Sequence, residues 1–208
     1  MSVDITTLVL ATRNQGKIQE LREILSTVRY DLEVIGLDRF PGIGKIPETG
    51  STFEENARIK AEAVSRATGL IAVADDSGLE VPALGNEPGV YSARYAGESA
   101  TDEENNSLLL QRLKHLSWED RWARFVCVLA AISPGGKELV VRGEWPGLIL
   151  EHPRGEGGFG YDPIFLDTEL GLTASEMNLR DKNQRSHRGR ALNQLVAMWD
   201  DFLERLSP

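Results

Sequence analysis

The stretch from Trp122 to Ile132 (WARFVCVLAAI) is almost unbroken in apolar character, with Arg124 its one charged residue. A strand this apolar has to be covered on both faces, which places it in the interior of a sheet with helices packed above and below. Ser133-Pro134-Gly135-Gly136 then turns the chain into a second strand-like segment, Leu139 to Trp145. Two such runs joined by a tight turn predict an antiparallel hairpin, so the expected architecture is an α/β fold around a mixed sheet.

The remaining segments fit this frame. Thr7–Ala11 reads as a short buried strand, and Ile18, Leu21, Ile24, Leu25 and Val28 recur at helical spacing after it. Thr52-x-x-Glu55 is a capping-box pattern opening a second helix with Ala57, Ala61 and Val64 on one face. Leu70–Ala74 reads as another buried strand, and Pro82–Gly97 as mostly irregular. Thr101-x-x-Glu104 opens a third helix carrying Leu108, Leu109 and Leu113. A short strand is expected at Ile164–Leu166. A last helix from about Ser186 to Leu206 would turn Leu192, Leu195, Trp199, Phe202 and Leu206 inward. No repeat or linker interrupts the 208 residues, which predicts a single domain over 1–208.

Composition excludes some function classes. A formal net charge of -9 argues against a nucleic-acid partner, since broad binding to DNA or RNA needs a basic face. No apolar stretch reaches the roughly 18 residues of a membrane span, and the first residues lack the layout of a secretory signal. A cytoplasmic protein with no membrane partner is therefore expected. Cys127, the single cysteine, lies inside the apolar run and reads as a small core residue.

Four polar sites have the composition of ligand-binding groups. Thr12-Arg13-Asn14-Gln15-Gly16-Lys17 joins a strand to a helix, where free backbone N–H groups and the helix dipole hold anions and Lys17 adds positive charge. A Walker A loop is ruled out there, because its leading glycine is missing and Ile18 stands where a metal-binding Ser or Thr is needed. Glu48, Asp75 and Asp76 offer hard oxygen ligands of the kind Mg²⁺ takes, although the two aspartates would also cap a turn before Gly78. Gly157-Gly158-Phe159-Gly160-Tyr161-Asp162-Pro163 lets backbone approach a ligand closely, with Phe159 or Tyr161 free to stack on a base and Asp162 to accept from ring N–H groups; a turn with core aromatics is equally compatible with it. Lys182, with Ser186-His187-Arg188 at the predicted last helix, directs donors towards a phosphate or a carbonyl.

Taken in order, Ala11-Thr12-x-Asn14-x-x-Lys17, Glu48-Thr49-Gly50-x-Thr52-Phe53-x-Glu55-Asn56-Ala57, Ala74-Asp75-Asp76-Ser77-Gly78-Leu79, Gly89-Val90-Tyr91-Ser92-Ala93-Arg94-Tyr95, the Gly157–Pro163 segment and Ser186-His187-Arg188-Gly189 closely resemble the inosine triphosphate pyrophosphatase family. The likeness runs from about residue 8 to residue 195. One departure is Arg13, where many relatives carry glycine.

The resemblance implies an elongated mixed α/β fold, with two lobes around a nucleotide cleft, and a homodimer. It also implies Mg²⁺-dependent hydrolysis of non-canonical purine triphosphates (ITP, dITP, XTP) to the monophosphate and pyrophosphate. By motif position, Thr12, Arg13, Asn14, Gln15, Gly16 and Lys17 would contact the triphosphate. Glu48 and Asp76 would bind the metal, with Asp76 also the proton acceptor. Ser77, Phe159, Gly160, Tyr161, Asp162, Lys182, His187 and Arg188 would contact substrate, and Asn56 and Lys60 would support the phosphate end. Two rivals share these motifs: a related pyrophosphatase for modified pyrimidines or methylated bases, and a non-catalytic nucleotide sensor.

Overall fold

The computed structural model describes residues 6–13, 18 and 32–206. The expected first helix therefore lies outside the described residues, apart from Ile18, which is helical and buried. The strands are β1 (Thr7–Leu10), β2 (Glu33–Gly36), β3 (Ile71–Val81), β4 (Glu87–Pro88), β5 (Trp122–Ile132), β6 (Glu138–Ile149), β7 (Phe165–Asp167) and β8 (Leu172–Thr173). The helices are α1 (Phe53–Thr68), α2 (Asp102–Leu113), α3 (Leu179–Arg185), α4 (His187–Ala197) and α5 (Trp199–Glu204).

The eight strands form one mixed sheet in the order β2-β1-β3-β5-β6-β7-β8, with β4 pairing on β3. Parallel pairing sets Leu8 of β1 opposite both Val34 and Ile71. The pairs β3–β4, β6–β7 and β7–β8 are antiparallel. β5 and β6 are neighbours joined through a turn in which the Ser133 N–H donates to the Lys137 carbonyl at 2.9 Å, a connection too short for a parallel crossover. From Phe125 onward β5 is buried at every residue, as its continuous apolar character requires.

Both predicted capping boxes are formed. In α1 the Thr52 hydroxyl accepts from the Glu55 N–H at 3.1 Å while the Glu55 carboxylate reaches back to the Thr52 N–H, and Thr101 and Glu104 do the same for α2. α1 stops at Gly69, whose φ of 70° closes the last turn.

Two elements differ from the sequence expectation. β3 does not end at Ala74: it continues to Val81, because Leu79 and Val81 are fully buried and Glu80 pairs with Pro88 of β4. Asp75, Asp76 and Ser77 therefore stand within a strand and not on a loop after it. The last helix starts where expected, after Ser186, which is extended (φ -62°, ψ 155°) and separates it from the unpredicted α3, but it is broken once, at Met198 (φ -102°, ψ 3°). Leu192, Leu195, Trp199 and Phe202 are buried as expected, and Leu206 is half-buried.

The chain divides into two compact units. The first comprises Met1–Asp76, Val128–Gly143 and Ala191–Pro208, and the second Ser77–Cys127 and Glu144–Arg190. The first contains a core of Val9, Leu37, Val64 and Ala72. The second is built around Leu79, Leu109, Leu113, Phe125, Trp145, Tyr161 and Phe165, with the Phe125 and Phe165 rings 4.5 Å apart.

Candidate active site

In the first unit, α1 is the element that sets the acidic site. Because its start is fixed by the capping box, Asn56 and Lys60, four residues apart, lie on one face of the helix. Asn56 is 1% exposed; its amide oxygen accepts from the Gly50 N–H at 2.8 Å and its nitrogen donates to Asp76 Oδ2 at 3.1 Å. A side chain at Gly50 would run into Glu55 and the Asn56 amide, so glycine is required for this approach. Lys60 Nζ then lies 2.6 Å from Glu48 Oε1 and 3.4 Å from Asp76 Oδ1. Glu48 and Asp76, remote in sequence, thus converge on one cation.

The charges in this cluster are unbalanced. Burial raises the Asp76 carboxyl above its ordinary value, and Glu48 adds to this against the pull of Lys60 and Asn56. Burial would lower the Lys60 ammonium, but Asp76, Glu48 and Asp75 outweigh it and hold the ammonium above its usual value. The two shifts differ in origin: burial is the main cause at Asp76, whereas three carboxylates acting on one ammonium outweigh burial at Lys60. Asp75 acts on Lys60 through its charge, and Asp76 is the aspartate that hydrogen-bonds to Asn56 and Lys60. Among the described residues no three of His, Cys, Asp or Glu gather as a metal-binding group. Two converging carboxylates are instead what Mg²⁺ uses when substrate phosphates and water complete its shell.

Thr12 closes the end of β1, its carbonyl accepting from the Leu37 N–H at 3.0 Å. Arg13 donates to the Ile43 carbonyl at 2.5 Å. Asn14, Gln15, Gly16 and Lys17 lie outside the described residues. Next after Asp76 in β3, Ser77 has a buried hydroxyl oxygen with no hydrogen-bond partner.

In the second unit, the glycine-rich loop is organised by Asp162, which is 4% exposed. Its Oδ2 accepts from the Phe159 N–H at 2.8 Å and from Lys182 Nζ at 2.5 Å. Gly158, at φ 78°, lies so close to this carboxylate that a Cβ would collide with it. Asp162 is therefore committed first to holding the loop. The two aromatic candidates separate cleanly. Phe159 is 66% exposed, with Lys182 Nζ 5.2 Å from its ring centre. Tyr161 is buried, its phenol donating to the Ser92 carbonyl at 2.9 Å and pushed by burial above the usual phenol range. Of the two aromatic rings, Phe159 is the exposed one, and Tyr161 is a core residue.

His187 opens α4 with its ring stacked on Phe125 at 4.9 Å, and Arg188 follows it, half-buried. Part of the Ser-His-Arg-Gly motif is structural: the Ser186 hydroxyl accepts from the Gly189 N–H, and any side chain at Gly189 would strike the Asn183 carbonyl. Two groups not singled out from the sequence are Asp102 and Asn106 of α2, which hold Gly160. Only their place in a capped helix was visible in the sequence.

The Ham1 family model matches residues 8–198. A dITP/XTP pyrophosphatase of Nitratidesulfovibrio vulgaris is 51% identical over 202 residues, covering 94% of this chain and 97% of that one. A dITP/XTP pyrophosphatase of Thermus thermophilus is 52% identical, with 93% and 92% covered. A solved HAM1 protein from Coxiella burnetii superposes with a TM-score of 0.89 at 43% identity, covering 95% of this chain and all of that one (100%).

Proposed function

The chain belongs to the Ham1 family, and from that premise we infer that it is a nucleoside-triphosphate pyrophosphohydrolase, hydrolysing non-canonical purine triphosphates of the dITP and XTP type to the monophosphate and pyrophosphate. The observation that carries the chemistry is the convergence of Glu48 and Asp76 on one cationic point beside Asn56. A nucleotide sensor has no need of such an excess of carboxylate beside the phosphates it binds.

In the mechanism we propose, Glu48 and Asp76 would hold Mg²⁺, which would supply neutralisation of the triphosphate charge. Asp76 takes a proton from the attacking water. The water oxygen bonds to the α-phosphorus, the bond from that phosphorus to the β-bridging oxygen breaks, and pyrophosphate leaves with the electron pair. Asn56 holds the Asp76 carboxylate in place, and Lys60 stands ready to pair with a phosphate oxygen. Thr12 to Lys17 and Ser77 complete the phosphate end.

For the base, Phe159 stacks, Asp162 with Lys182 fixes the loop and its orientation, and Arg188 with His187 donates to the 6-oxo group. ATP presents an amino donor at that position, so a donor aimed there is left unpaired and rejects it. We assign the whole chain to one catalytic domain, because β3, β5 and β6 each run through both units. No helix among the described residues is long and apolar enough to cross a membrane. The proposed cytoplasmic location rests on the composition of the sequence, and the proposed homodimer on the family likeness. The mechanism is tested with Asp76→Asn, which keeps the size of the side chain and removes its basicity; kcat should fall by roughly 10²–10⁴-fold. Near-normal turnover with Mg²⁺ present would refute the role given to Asp76.

A further inference from the structure

α2 carries two consecutive buried asparagines where an amphipathic helix would place at most one polar residue. Asn106, Leu109 and Leu113 follow the i, i+3, i+7 spacing of the core-facing stripe, and Leu109 and Leu113 are fully buried. A leucine at 106 would be the ordinary choice. Asn106 instead leaves its amide oxygen buried and without a hydrogen-bond partner, a costly arrangement at a position that packing alone would fill better. What it does make is one contact: its amide nitrogen donates to the Gly160 carbonyl at 2.9 Å. One turn earlier on the helix, Asp102 Oδ2 accepts from the Gly160 N–H at 2.6 Å.

Both polar groups of one residue, Gly160, are therefore held by a single helix. Gly160 follows the exposed Phe159 directly, has φ 60°, and has no side chain to fix it by packing. On the other side of Phe159, the Gly157 carbonyl accepts from the Ser175 hydroxyl at 2.6 Å. The backbone on each side of the ring is thus pinned, while the ring itself is in solvent. Rigid backbone under an exposed aromatic is what preorganised stacking requires, since a loop ordered before binding loses less entropy on binding.

We propose that Asp102 and Asn106 are positioning residues for base recognition, clamping Gly160 so that Phe159 is held ready to stack on the purine; this rests on the base-stacking role given to Phe159. The clamp acts on the base end of the substrate and leaves the phosphate end untouched. Asn105, next to Asn106, holds a different segment through the Ala96 N–H, so the two asparagines divide the work of fixing two loops.

The test uses the full-length enzyme with Mg²⁺ and compares Asn106→Leu, Asp102→Ala, Asp102→Asn and Phe159→Ala. Two quantities are read: KM and kcat for ITP, and the competitive inhibition constant of inorganic tripolyphosphate, which has no base. Asn106→Leu and Asp102→Ala should raise the ITP KM roughly tenfold with kcat little changed, the signature of lost uniform binding. Tripolyphosphate inhibition should hold within about twofold, because its contacts do not involve the loop. Asp102→Asn keeps an acceptor for the Gly160 N–H and should restore the KM. If Phe159→Ala raises the ITP KM while Asn106→Leu and Asp102→Ala leave it unchanged, the clamp is wrong and base stacking stands. If Phe159→Ala itself leaves the KM unchanged, the stacking role fails and the clamp falls with it. If the ITP KM and tripolyphosphate inhibition weaken together, the two residues support the whole fold and not the base loop, and the proposal is overturned. Should Asn106→Leu not fold, Asp102→Ala decides, since its side chain lies at the exposed start of the helix.

Discussion

Asp162 and Lys182 show how a side chain that looks like a ligand contact acquires a prior duty in the fold. The carboxylate of Asp162 is taken up by Lys182 and the Phe159 N–H, so its share in recognition is to orient the loop that carries the aromatic ring. In the proposed mechanism, direct reading of the 6-oxo group then falls to Arg188 and His187. Replacing Arg188 with alanine should lower the ITP-to-ATP ratio of kcat/KM by about 10–100-fold, the range that a hydrogen bond from a charged donor contributes. An unchanged ratio would remove Arg188 from base reading. The sequence made Glu48, Asp76, Phe159 and Asp162 visible because their types match the chemistry at recognisable motif positions. It left Tyr161 ambiguous with Phe159, since two aromatics two residues apart differ only in what their surroundings bury. Asp102 and Asn106 were hidden for another reason: an Asp and an Asn early in a helix read as ordinary N-terminal residues until their partner, more than fifty positions away, is known.

Among the elements, those with strong local signals were legible. β5 announced itself by continuous apolarity, and α1 and α2 by capping boxes followed by apolar stripes. β3 was read too short because its middle, Asp75 to Ser77, is polar and its continuation is held by pairing with β4, which local sequence does not report. The last helix looks continuous in sequence because its apolar spacing survives the break at Met198. α3 is anchored by a tertiary contact: Arg185 Nε donates to Asp167 Oδ2 at 2.8 Å, and the same carboxylate accepts from Trp145 Nε1 at 2.9 Å. Burial pushes the Asp167 carboxyl up, but Arg185, Trp145 and the Leu170 N–H outweigh it and hold it below its ordinary value of 3.8. A pKa lower in the folded than in the unfolded chain stabilises the fold fully above the unfolded value, and the contribution is lost as pH falls through the folded one. Asp167→Asn should therefore cost about 1–3 kcal/mol in urea unfolding at pH 7, with the gap to the parent protein narrowing below about pH 4. A gap that stayed constant across this range would show that the charge of Asp167 is not what stabilises α3.

On the scale of the whole chain, the class of fold followed from one apolar strand and one turn, whereas strand order did not. The sequence β2-β1-β3-β5-β6-β7-β8 is set by non-local pairing, and no local pattern specifies that β1 should lie between β2 and β3. The six motifs were informative because they recur in order along almost the whole length, in agreement with the match to the Ham1 family over residues 8–198. In the folded chain the acidic and phosphate motifs fall in the first unit with Glu48, Asn56, Lys60 and Asp76, and the base-loop motifs in the second with Phe159, Asp162 and Lys182. Ser77, the next residue after Asp76, already belongs to the second unit.

The central claim is that this chain breaks the bond between the α- and β-phosphates of a 6-oxo purine triphosphate with the help of a divalent cation. The direct measurement is the release of pyrophosphate and of orthophosphate from ITP, dITP, XTP, ATP and GTP, each with Mg²⁺ and with EDTA. Pyrophosphate from ITP, dITP and XTP, abolished by EDTA and small from ATP and GTP, is the predicted result. Release of orthophosphate, equal turnover of ATP, or pyrophosphate release that persists in EDTA would contradict the account.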